Sequence, residues 1–395
     1  MRHRFFATCA RGTEGALRRE LAALRLAALR GEHGGVHFEG RMEAGMRACL
    51  HSRVAMRVLL ELGRFAAPSA DALYQGARAL PWADWLTDRT TLAVDATVSA
   101  SAIGHSGYAA LKVKDAAVDV LRERLGRRPD VDAEDPDVRI ALHLAEDRAT
   151  LSLDLAGFPL HRRGYRVAAT PAPLKESLAA AVLSLGRVDP ALPFVDPMAG
   201  SGTLAIEHAL RARRVAPGLS RSFGFQRWPG YRGALQSAFD RMREEARAAA
   251  LPRAPAPILA RDLHPRAVEA LRRNVAAAGV AGDVEVERGD ARDLEPRFPR
   301  GTLCTNPPYG ERWMARGPER AGRGAAGAAD ERAGRRKLEG FYRGLGEMLA
   351  RHHGWTAVLL SGSPLLERAL PARPEVDHRL WNGPLEVHLL RLGIP

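Results

Sequence analysis

Cysteine is scarce in this sequence of 395 residues, and long apolar runs are missing from it. Cys9, Cys49 and Cys304 are odd in number and far apart, so they fit neither a disulfide framework nor the paired spacing of a zinc site. No window reaches the ~18 uninterrupted apolar residues of a membrane span, and charged residues interrupt the start of the chain before a secretory signal forms. We therefore expect a cytoplasmic protein with buried cysteines, no metal and no membrane partner.

Lysine is rare as well. Of the 59 basic residues, only Lys112, Lys114, Lys175 and Lys337 are lysines, and the other 55 are arginines. Against 46 acidic residues they leave a net charge of +13. This surplus favours a polyanionic partner, because binding to phosphates releases counterions; nucleic acid is favoured over a membrane, since no basic amphipathic helix stands out. Charge alone also suits a basic protein that has no such partner.

The N-terminal part has the pattern of two α+β stretches. In residues 1–65, strand-like and helix-like segments alternate around a turn predicted at Gly34 and Gly35. Residues 66–160 show the same mixture. Their polar and basic side chains suit contacts with a sugar-phosphate backbone, and they suit a solvated surface equally well. The first stretch carries no evident catalytic cluster.

The pattern changes after a basic linker over residues 161–172. In residues 173–395, apolar runs alternate with amphipathic helical segments, which indicates βαβ units around a mainly parallel sheet and a doubly wound α/β domain. Two insertions, 214–256 and 314–337, interrupt the domain, and we expect the second to be a flexible basic loop. The strands are predicted over 192–196, 257–262, 284–288, 301–305, 355–361 and 385–391, and the helices over 203–213, 265–278 and 338–351.

A glycine turn follows the first strand of this domain. Asp196 ends the strand, and Gly200 and Gly202 allow the backbone to turn tightly and to approach a ligand, although such turns also occur for purely structural reasons. Ala205 replaces the third glycine of a dinucleotide site, and no P-loop lysine follows, so the pattern disfavours a phosphate group. The acidic residue beside the turn instead favours a cationic ligand.

Two further aspartates end the next strands along the chain. Asp262 lies where a carboxylate accepts the hydroxyls of an adenosine ribose, and Asp290 lies where one accepts the exocyclic amine of adenine. Each of them alone is more often a turn or capping residue. Together with Asp196 they describe an adenosine ligand that carries positive charge, and we predict S-adenosylmethionine as the cofactor.

The strand predicted over 301–305 runs into Asn306-Pro307-Pro308-Tyr309. An exocyclic amine on a base is a poor nucleophile, because its lone pair is delocalised into the ring. We expect the Asn306 side-chain oxygen and the Pro307 carbonyl to accept its two N–H groups and so to orient it for methyl transfer. The two prolines fix the backbone, and Tyr309 offers a face on which an extruded base stacks. A plain proline turn would not explain the flanking Asn306 and Tyr309.

Both motifs resemble those of the THUMP-domain class I methyltransferases that make N2-methylguanosine in RNA. The likeness rests on Asp196-Pro197-Met198-Ala199-Gly200-Ser201-Gly202-Thr203 and Asn306-Pro307-Pro308-Tyr309-Gly310-Glu311-Arg312, and it covers nearly the whole chain. The stretches 161–166, 172–176 and 381–386 are similar to ones in the bacterial 23S rRNA guanine-N2 methyltransferase group. Ala199 stands where the family often has cysteine, and a small residue there should change little.

The resemblance implies a ferredoxin-like domain over 1–65, a THUMP RNA-binding domain over 66–160 and a Rossmann-like class I methyltransferase domain over 173–395. The expected catalytic residues are Asn306, Pro307, Pro308 and Tyr309. The expected cofactor-binding residues are Pro173, Leu174, Lys175, Asp196, Pro197, Ala199, Gly200, Gly202, Thr203, Asp262, Asp290, Ala291 and Asn306.

We expect direct transfer of a methyl group to the N2 amine of a guanosine in structured RNA, with 23S rRNA as the first choice. No covalent nucleophile is required, so Cys304 receives no role. A tRNA guanine-N2 methyltransferase is the alternative within this class, and adenine N6 in DNA or a glutamine amide also suits the motif chemically. A different alternative is an inactive RNA-binding assembly factor. No obligate protein partner is evident, and a monomer is expected.

Overall fold

The computed structural model describes residues 1–170, 173–309 and 325–395, with side chains from residue 333 onward in the last range. The chain divides into two units. The N-terminal unit comprises Met1–Cys9, Leu17–Arg162 and Ala216–Ala248, and the C-terminal unit comprises Ala10–Ala16, Arg163–Val215 and Ala249–Pro395. Of the flexible loop predicted over 314–337, residues 314–324 lie outside the described residues. From Ala325 the chain is helical, so the prediction of a loop over 325–337 is wrong.

The strands and helices follow one another along the chain. The strands of the described ranges are β1 His3–Thr8, β2 Ala27–Glu32, β3 Gly35–Gly40, β4 Arg57–Ala66, β5 Leu92–Ser99, β6 Val138–Ala145, β7 Arg148–Asp154, β8 Phe194–Asp196, β9 Ile258–Asp262, β10 Val284–Arg288, β11 Thr302–Thr305, β12 Thr356–Ser361, β13 Val376–Asn382 and β14 Leu385–Gly393. The α-helices there are α1 Glu14–Ala23, α2 Met42–His51, α3 Ala70–Arg78, α4 Ser106–Leu125, α5 Glu176–Leu185, α6 Thr203–Ala212, α7 Ala234–Ala248, α8 Pro265–Ala277, α9 Ala325–Arg351 and α10 Pro364–Arg368.

One sheet joins the two N-terminal α+β stretches. Its strand order is β2-β3-β1-β4-β7-β6-β5, and β4 pairs antiparallel with β7. The stretches predicted over 1–65 and 66–160 therefore share a continuous sheet. The edge strand β2 is exposed along nearly its whole length, so it lacks the alternation of apolar residues that would have revealed it.

The insertion after α6 belongs largely to the N-terminal unit. Stacked and edge-on contacts join the rings of Phe223, Phe225 and Phe239, all of which are buried. Arg221 also donates to the carbonyls of Phe158 at 2.8 Å and Pro159 at 2.9 Å. Sequence alone assigned this segment to the methyltransferase domain, because chain order does not show what a buried aromatic cluster packs against.

The C-terminal unit holds a doubly wound sheet, as predicted. Its order is β10-β9-β8-β11-β12-β14-β13, with parallel pairing from β10 through β12, whereas β14 runs antiparallel to both of its neighbours. Both faces of the sheet are covered. Along β12, Val358 and Leu360 join the core under α5, α6 and α8, and Ala357 and Leu359 join the core under α9 and α10. In the ranges the structure describes, no helix is long and apolar enough to cross a membrane.

Candidate active site

Four predicted site residues lie along one edge of the C-terminal sheet. The strands β10, β9, β8 and β11 are parallel neighbours in that order, so their carboxyl ends meet at the same edge. Asp290, Asp262, Asp196 and Asn306 follow or end these strands. At ~4.8 Å between neighbouring strands, the four ends span roughly 14 Å. The edge therefore holds three carboxylates and an amide in one row.

Asp196 is a buried carboxylate with a strongly altered affinity for its proton. Its side chain is 1% exposed, and Oδ1 accepts hydrogen bonds from Thr305 Oγ1 at 2.8 Å and from the Met198 amide at 3.2 Å. Burial, with a smaller contribution from the nearby Asp262, raises the pKa of Asp196 to about 7 although the two hydrogen bonds lower it. A positively charged ligand would offset the unfavourable free energy of ionising this buried carboxylate. The site thus fits a cationic cofactor.

The two glycines of the turn serve different purposes. Gly200 and Gly202 both adopt left-handed backbone, with φ of +57° and +91°. A Cβ on Gly202 would lie 2.3 Å from Leu271 Cδ1, so this glycine is required by packing. A Cβ on Gly200 would meet nothing nearer than Thr170 Oγ1 at 3.8 Å. The open space above Gly200 is therefore where a ligand can approach the backbone.

Asp262 ties the glycine turn to the next strand and keeps acceptor capacity. Its Oδ2 accepts from the Gly200 amide at 2.9 Å, and its Oδ1 accepts from the His264 amide at 2.9 Å. The Ala199 amide also donates to the carbonyl of Arg261 at 2.8 Å. A carboxylate has about four acceptor positions, so about two remain at Asp262 for the hydroxyls of a ribose.

Asp290 is engaged by its own neighbour. It accepts from the Arg292 amide at 2.9 Å, from Nε at 3.0 Å and from Nη2 at 2.6 Å. Hydrogen bonding to Arg292 lowers the pKa of Asp290 and holds it ionised. Ala291 beside it is 4% exposed. Little acceptor capacity is left for an adenine amine, and that role of Asp290 stays a prediction.

In this conformation, the first and last residues of the Asn-Pro-Pro-Tyr segment are hydrogen-bonded to each other. The Tyr309 hydroxyl donates to Asn306 Oδ1, and the Tyr342 hydroxyl donates to the Pro308 carbonyl at 2.8 Å. The Tyr309 ring is only 5% exposed, and a Cβ on Gly362 would lie 2.7 Å from it. The Tyr309 hydroxyl uses one of the two acceptor positions of this oxygen, and the other is left for a target amine. Stacking of a base on Tyr309 requires the ring to gain exposure and stays a prediction.

Arg166 is a positioning residue that sequence analysis placed in the linker without a role. Its Nη1 donates to Ser201 Oγ at 2.9 Å, and its Nη2 donates to Thr203 Oγ1 and to the Leu174 carbonyl, both at 3.0 Å. Its Nε pairs with Glu176 Oε1 at 2.9 Å. One guanidinium thus fixes the glycine turn against the segment that starts α5. In the sequence, the only signal for this residue was its positive charge within the basic linker.

Asn274 makes a second such connection from α8. It is fully buried, and its Oδ1 accepts from the amides of Val167 and Ala168 at 2.9 Å. Its Nδ2 donates to the carbonyls of Ala168 at 2.8 Å and Ser201 at 2.9 Å. The side chain is fully used in holding the linker to the glycine turn. The sequence offered one signal for Asn274, which is that a polar residue stands on the apolar face of the predicted helix.

The remaining predicted residues differ in their exposure. Leu174 is 6% exposed and Lys175 is exposed at the start of α5, while Pro197 is buried directly after Asp196. All three cysteines are buried and none is in a disulfide bond. Burial raises the pKa of Cys304 well above its usual value, so it is no thiolate nucleophile. Within the described residues, no group of His, Cys, Asp and Glu side chains is placed to hold a metal ion.

Three family models match the chain. Residues 163–320 match the family described as RMKL-like, methyltransferase domain, residues 67–154 match the THUMP domain, and residues 4–59 match the RlmL ferredoxin-like domain. The chain therefore contains a methyltransferase domain of the RMKL-like family, a THUMP domain and an RlmL ferredoxin-like domain.

Relatives and solved structures agree with these matches. The chain is 42% identical over 406 residues to the ribosomal RNA large subunit methyltransferase K/L of Syntrophotalea carbinolica, covering 99% of this chain and 53% of the relative. The corresponding protein of Methylococcus capsulatus is 43% identical over 401 residues, covering 99% of this chain and 51% of the relative. The chain therefore spans about half the length of these relatives.

Solved crystal structures also match the full chain. SMU.472, described as a methyltransferase and crystallised with SAH, has a TM-score of 0.87 at 29% identity, covering 100% of this chain and 98% of its own. A protein from Listeria monocytogenes, described as a predicted N6-adenine-specific DNA methylase, has a TM-score of 0.84 at 29% identity, covering 100% and 97%. The matches confirm the predicted fold class and the presence of a methyltransferase domain. The predicted domain limits and the individual site residues remain predictions.

The substitution Asp196→Asn tests the buried carboxylate. Because the pKa of Asp196 is raised from 3.8 to about 7, the folded protein keeps a proton that the unfolded chain releases, and the free energy of unfolding falls as pH rises through that range. We expect the wild type to lose about 2 to 3 kcal/mol relative to Asp196→Asn between about pH 5 and about pH 8. Denaturant unfolding without cofactor measures this difference. Parallel pH profiles for the two proteins would contradict it.

The substitution Arg166→Gln tests the clamp on the glycine turn. It removes several charge-assisted hydrogen bonds to the turn and to the start of α5, each typically worth roughly 1.5 to 3 kcal/mol. We expect the dissociation constant for S-adenosylmethionine to rise at least about tenfold, as measured by calorimetric titration. Arg162→Gln, an exposed arginine in the same segment, is the control and should bind normally. Equal affinities in folded Arg166→Gln and Arg162→Gln would exclude the clamp.

Proposed function

We propose that this chain transfers a methyl group from S-adenosylmethionine to the exocyclic N2 amine of a guanosine in RNA, with 23S rRNA as the substrate. The observation that carries the proposal is the bond of 2.8 Å between Thr305 Oγ1 and Asp196 Oδ1. It joins the last residue of β11 to the last residue of β8, so Asn306 follows directly beside the carboxylate that suits a cationic cofactor. Amine acceptors and cofactor site are thereby adjacent.

The residues of the chain have complementary tasks in this reaction. When bound, the cofactor supplies a methyl group on a sulfonium centre, which is a good leaving group. Asp196, Asp262 and the backbone at Gly200 hold and orient it. The Asn306 side-chain oxygen and the Pro307 carbonyl accept the two N–H groups of the target amine and orient its lone pair. The surplus proton leaves after transfer, when the alkylated amine is acidic.

Three facts support RNA as the substrate. Residues 67–154 match the THUMP domain, the net charge is +13, and the relatives are named ribosomal RNA large subunit methyltransferases. A protein that methylates ribosomal RNA acts in the cytoplasm, which we propose as its location, and we propose a monomer without an obligate protein partner as the simplest form. Because the chain spans about half of those relatives, its own activity has to be measured on this chain.

Adenine N6 is the second candidate target. The Asn-Pro-Pro-Tyr segment suits any planar exocyclic amine, and the similar structure from Listeria monocytogenes is described as a predicted N6-adenine-specific DNA methylase. A tRNA guanosine uses the same site chemistry. Nucleoside mass spectrometry of rRNA, tRNA and DNA separates these targets after incubation with the chain and labelled cofactor. We expect N2-methylguanosine in 23S rRNA.

The substitution Asn306→Ala tests the mechanism. We expect kcat to fall by about three orders of magnitude, because one acceptor for the developing charge and its orienting effect are lost. Affinity for S-adenosylmethionine, measured by calorimetric titration, should stay within about twofold, since the cofactor is held mainly by other residues. Gln236→Ala, which removes an exposed amide in α7, is the matched control. Near-normal turnover by Asn306→Ala would refute the assignment, and wild-type protein that binds cofactor but methylates nothing would favour an assembly factor.

A further inference from the structure

The hairpin of β13 and β14 lies at the same sheet edge as Asn306. β14 pairs antiparallel with β12, with Ser361 opposite His388, and β13 pairs with β14 so that Asn382 lies opposite Leu385. The turn between Asn382 and Leu385 therefore projects beyond the carboxyl end of β12. No predicted catalytic or cofactor role used this segment, although the sequence at 381–386 resembles stretches of the methyltransferase group.

This hairpin lies on the side of Asn306 away from the cofactor. The cofactor aspartates follow β8, β9 and β10, whereas β12, β14 and β13 extend from β11 in the opposite direction. Three strand spacings of ~4.8 Å place β13 roughly 14 Å from β11. A few nucleotides span this distance. An RNA that places its target base at Asn306 thus has its neighbouring nucleotides within reach of the hairpin.

The hairpin carries a cation–π contact between Arg11 and Trp381. The guanidinium carbon of Arg11 lies 3.8 Å from the centroid of the Trp381 ring, and the Trp381 amide donates to the Arg11 carbonyl at 3.1 Å. Arg11 is exposed, and Trp381 is half-buried. Arg379 nearby pairs with Glu386 at 3.8 Å, whereas Arg11 has no carboxylate partner in the part of the chain that the structure describes.

The chain is built to hold Arg11 at this position. Gly12 has a φ of +85°, and a Cβ there would lie 2.4 Å from the Arg379 carbonyl, so only glycine permits this close approach. His378 Nε2 lies 2.6 Å from the Gly12 carbonyl oxygen. The segment Ala10–Ala16, which precedes or opens α1 in the sequence, belongs to the C-terminal unit through these contacts.

We propose that Arg11, stacked on Trp381, binds the phosphate backbone of the substrate RNA next to the target nucleotide. Stacking fixes the plane of the guanidinium and leaves its edge N–H groups free to donate to phosphate oxygens. The absence of a carboxylate partner for Arg11 in the described residues leaves its charge available to an anion. This inference rests on the proposed function, since it names a contact for the same RNA.

Arg11→Ala tests this contact. We expect the KM for RNA to rise about five- to tenfold, and the slope of log affinity against log salt to fall by about one, because one phosphate contact is lost. The kcat at saturating RNA and the affinity for S-adenosylmethionine should change by less than about twofold, which a general loss of structure would not allow. Fluorescence anisotropy measures RNA binding directly, and calorimetric titration measures cofactor binding.

Matched variants separate charge, stacking and folding. Arg11→Lys keeps the charge and loses the planar stack, so its KM should lie between those of wild type and Arg11→Ala. Trp381→Phe keeps a ring under Arg11 and should be close to wild type, whereas Trp381→Ala should resemble Arg11→Ala. Arg273→Ala removes an exposed arginine of α8 and is the control. Arg11→Lys and Trp381→Phe decide the matter if the alanine variants fold poorly.

The possible failures are distinguishable. An Arg11→Ala chain that methylates RNA with wild-type KM and salt slope overturns the Arg11 contact and leaves the proposed function intact. An unaltered chain that methylates no RNA overturns the proposed function. In that case anisotropy still tests the contact, because equal RNA affinity and salt slope in wild type and Arg11→Ala would exclude it.

Discussion

A single buried hydrogen bond, from the Thr305 hydroxyl to the Asp196 carboxylate, connects the two halves of the candidate active site. Asp196 ends the strand that leads into the glycine turn, and Thr305 ends the strand that leads into Asn306. Because both groups are buried and cannot reach water, each of them needs this hydrogen bond as a substitute for a water molecule. It holds together two strand ends whose loops, in the proposed function, bind the cofactor and the target base. Misplacement of either loop would separate the reacting atoms.

Around this bond, an unfavourable buried charge lies beside residues that hold the neighbouring loops in place. Burial raises the pKa of Asp196, so the free site carries a carboxylate whose ionisation is unfavourable until a cation arrives. Arg166 and Asn274 hold the linker and the glycine turn together from two sides, which keeps the turn in place while its ligand is absent. On the side proposed for the target base, the Tyr309 hydroxyl donates a hydrogen bond to Asn306 Oδ1. Hydrogen bonds thus hold the candidate site together on the side proposed for the cofactor and engage Asn306 on the side proposed for the base.

The regular elements of the C-terminal sheet were predictable, because buried parallel strands produce apolar runs with turn residues at their ends. Strand ends also predicted that Asp196, Asp262, Asp290 and Asn306 would share an edge, and the sheet order bears this out. Elements with weaker patterns were missed, among them the exposed strand β2 and the edge strand β13. The helix α9 begins earlier than the predicted start at 338, since its first part is rich in alanine, glycine and arginine and lacks an apolar stripe.

By itself, the sequence determined the fold class and predicted the cofactor and the target amine, because these depend on residue types at strand ends that are close along the chain. Only the tertiary structure decided which acceptors are engaged, as at Asp290 and Asn306, and which distant residues support the site. Arg166, Asn274 and the stacked pair of Arg11 and Trp381 gain their roles from partners that lie up to several hundred positions away. Local periodicity carries no information on such pairings, since long-range contacts are selected by packing of the whole sheet and its helices.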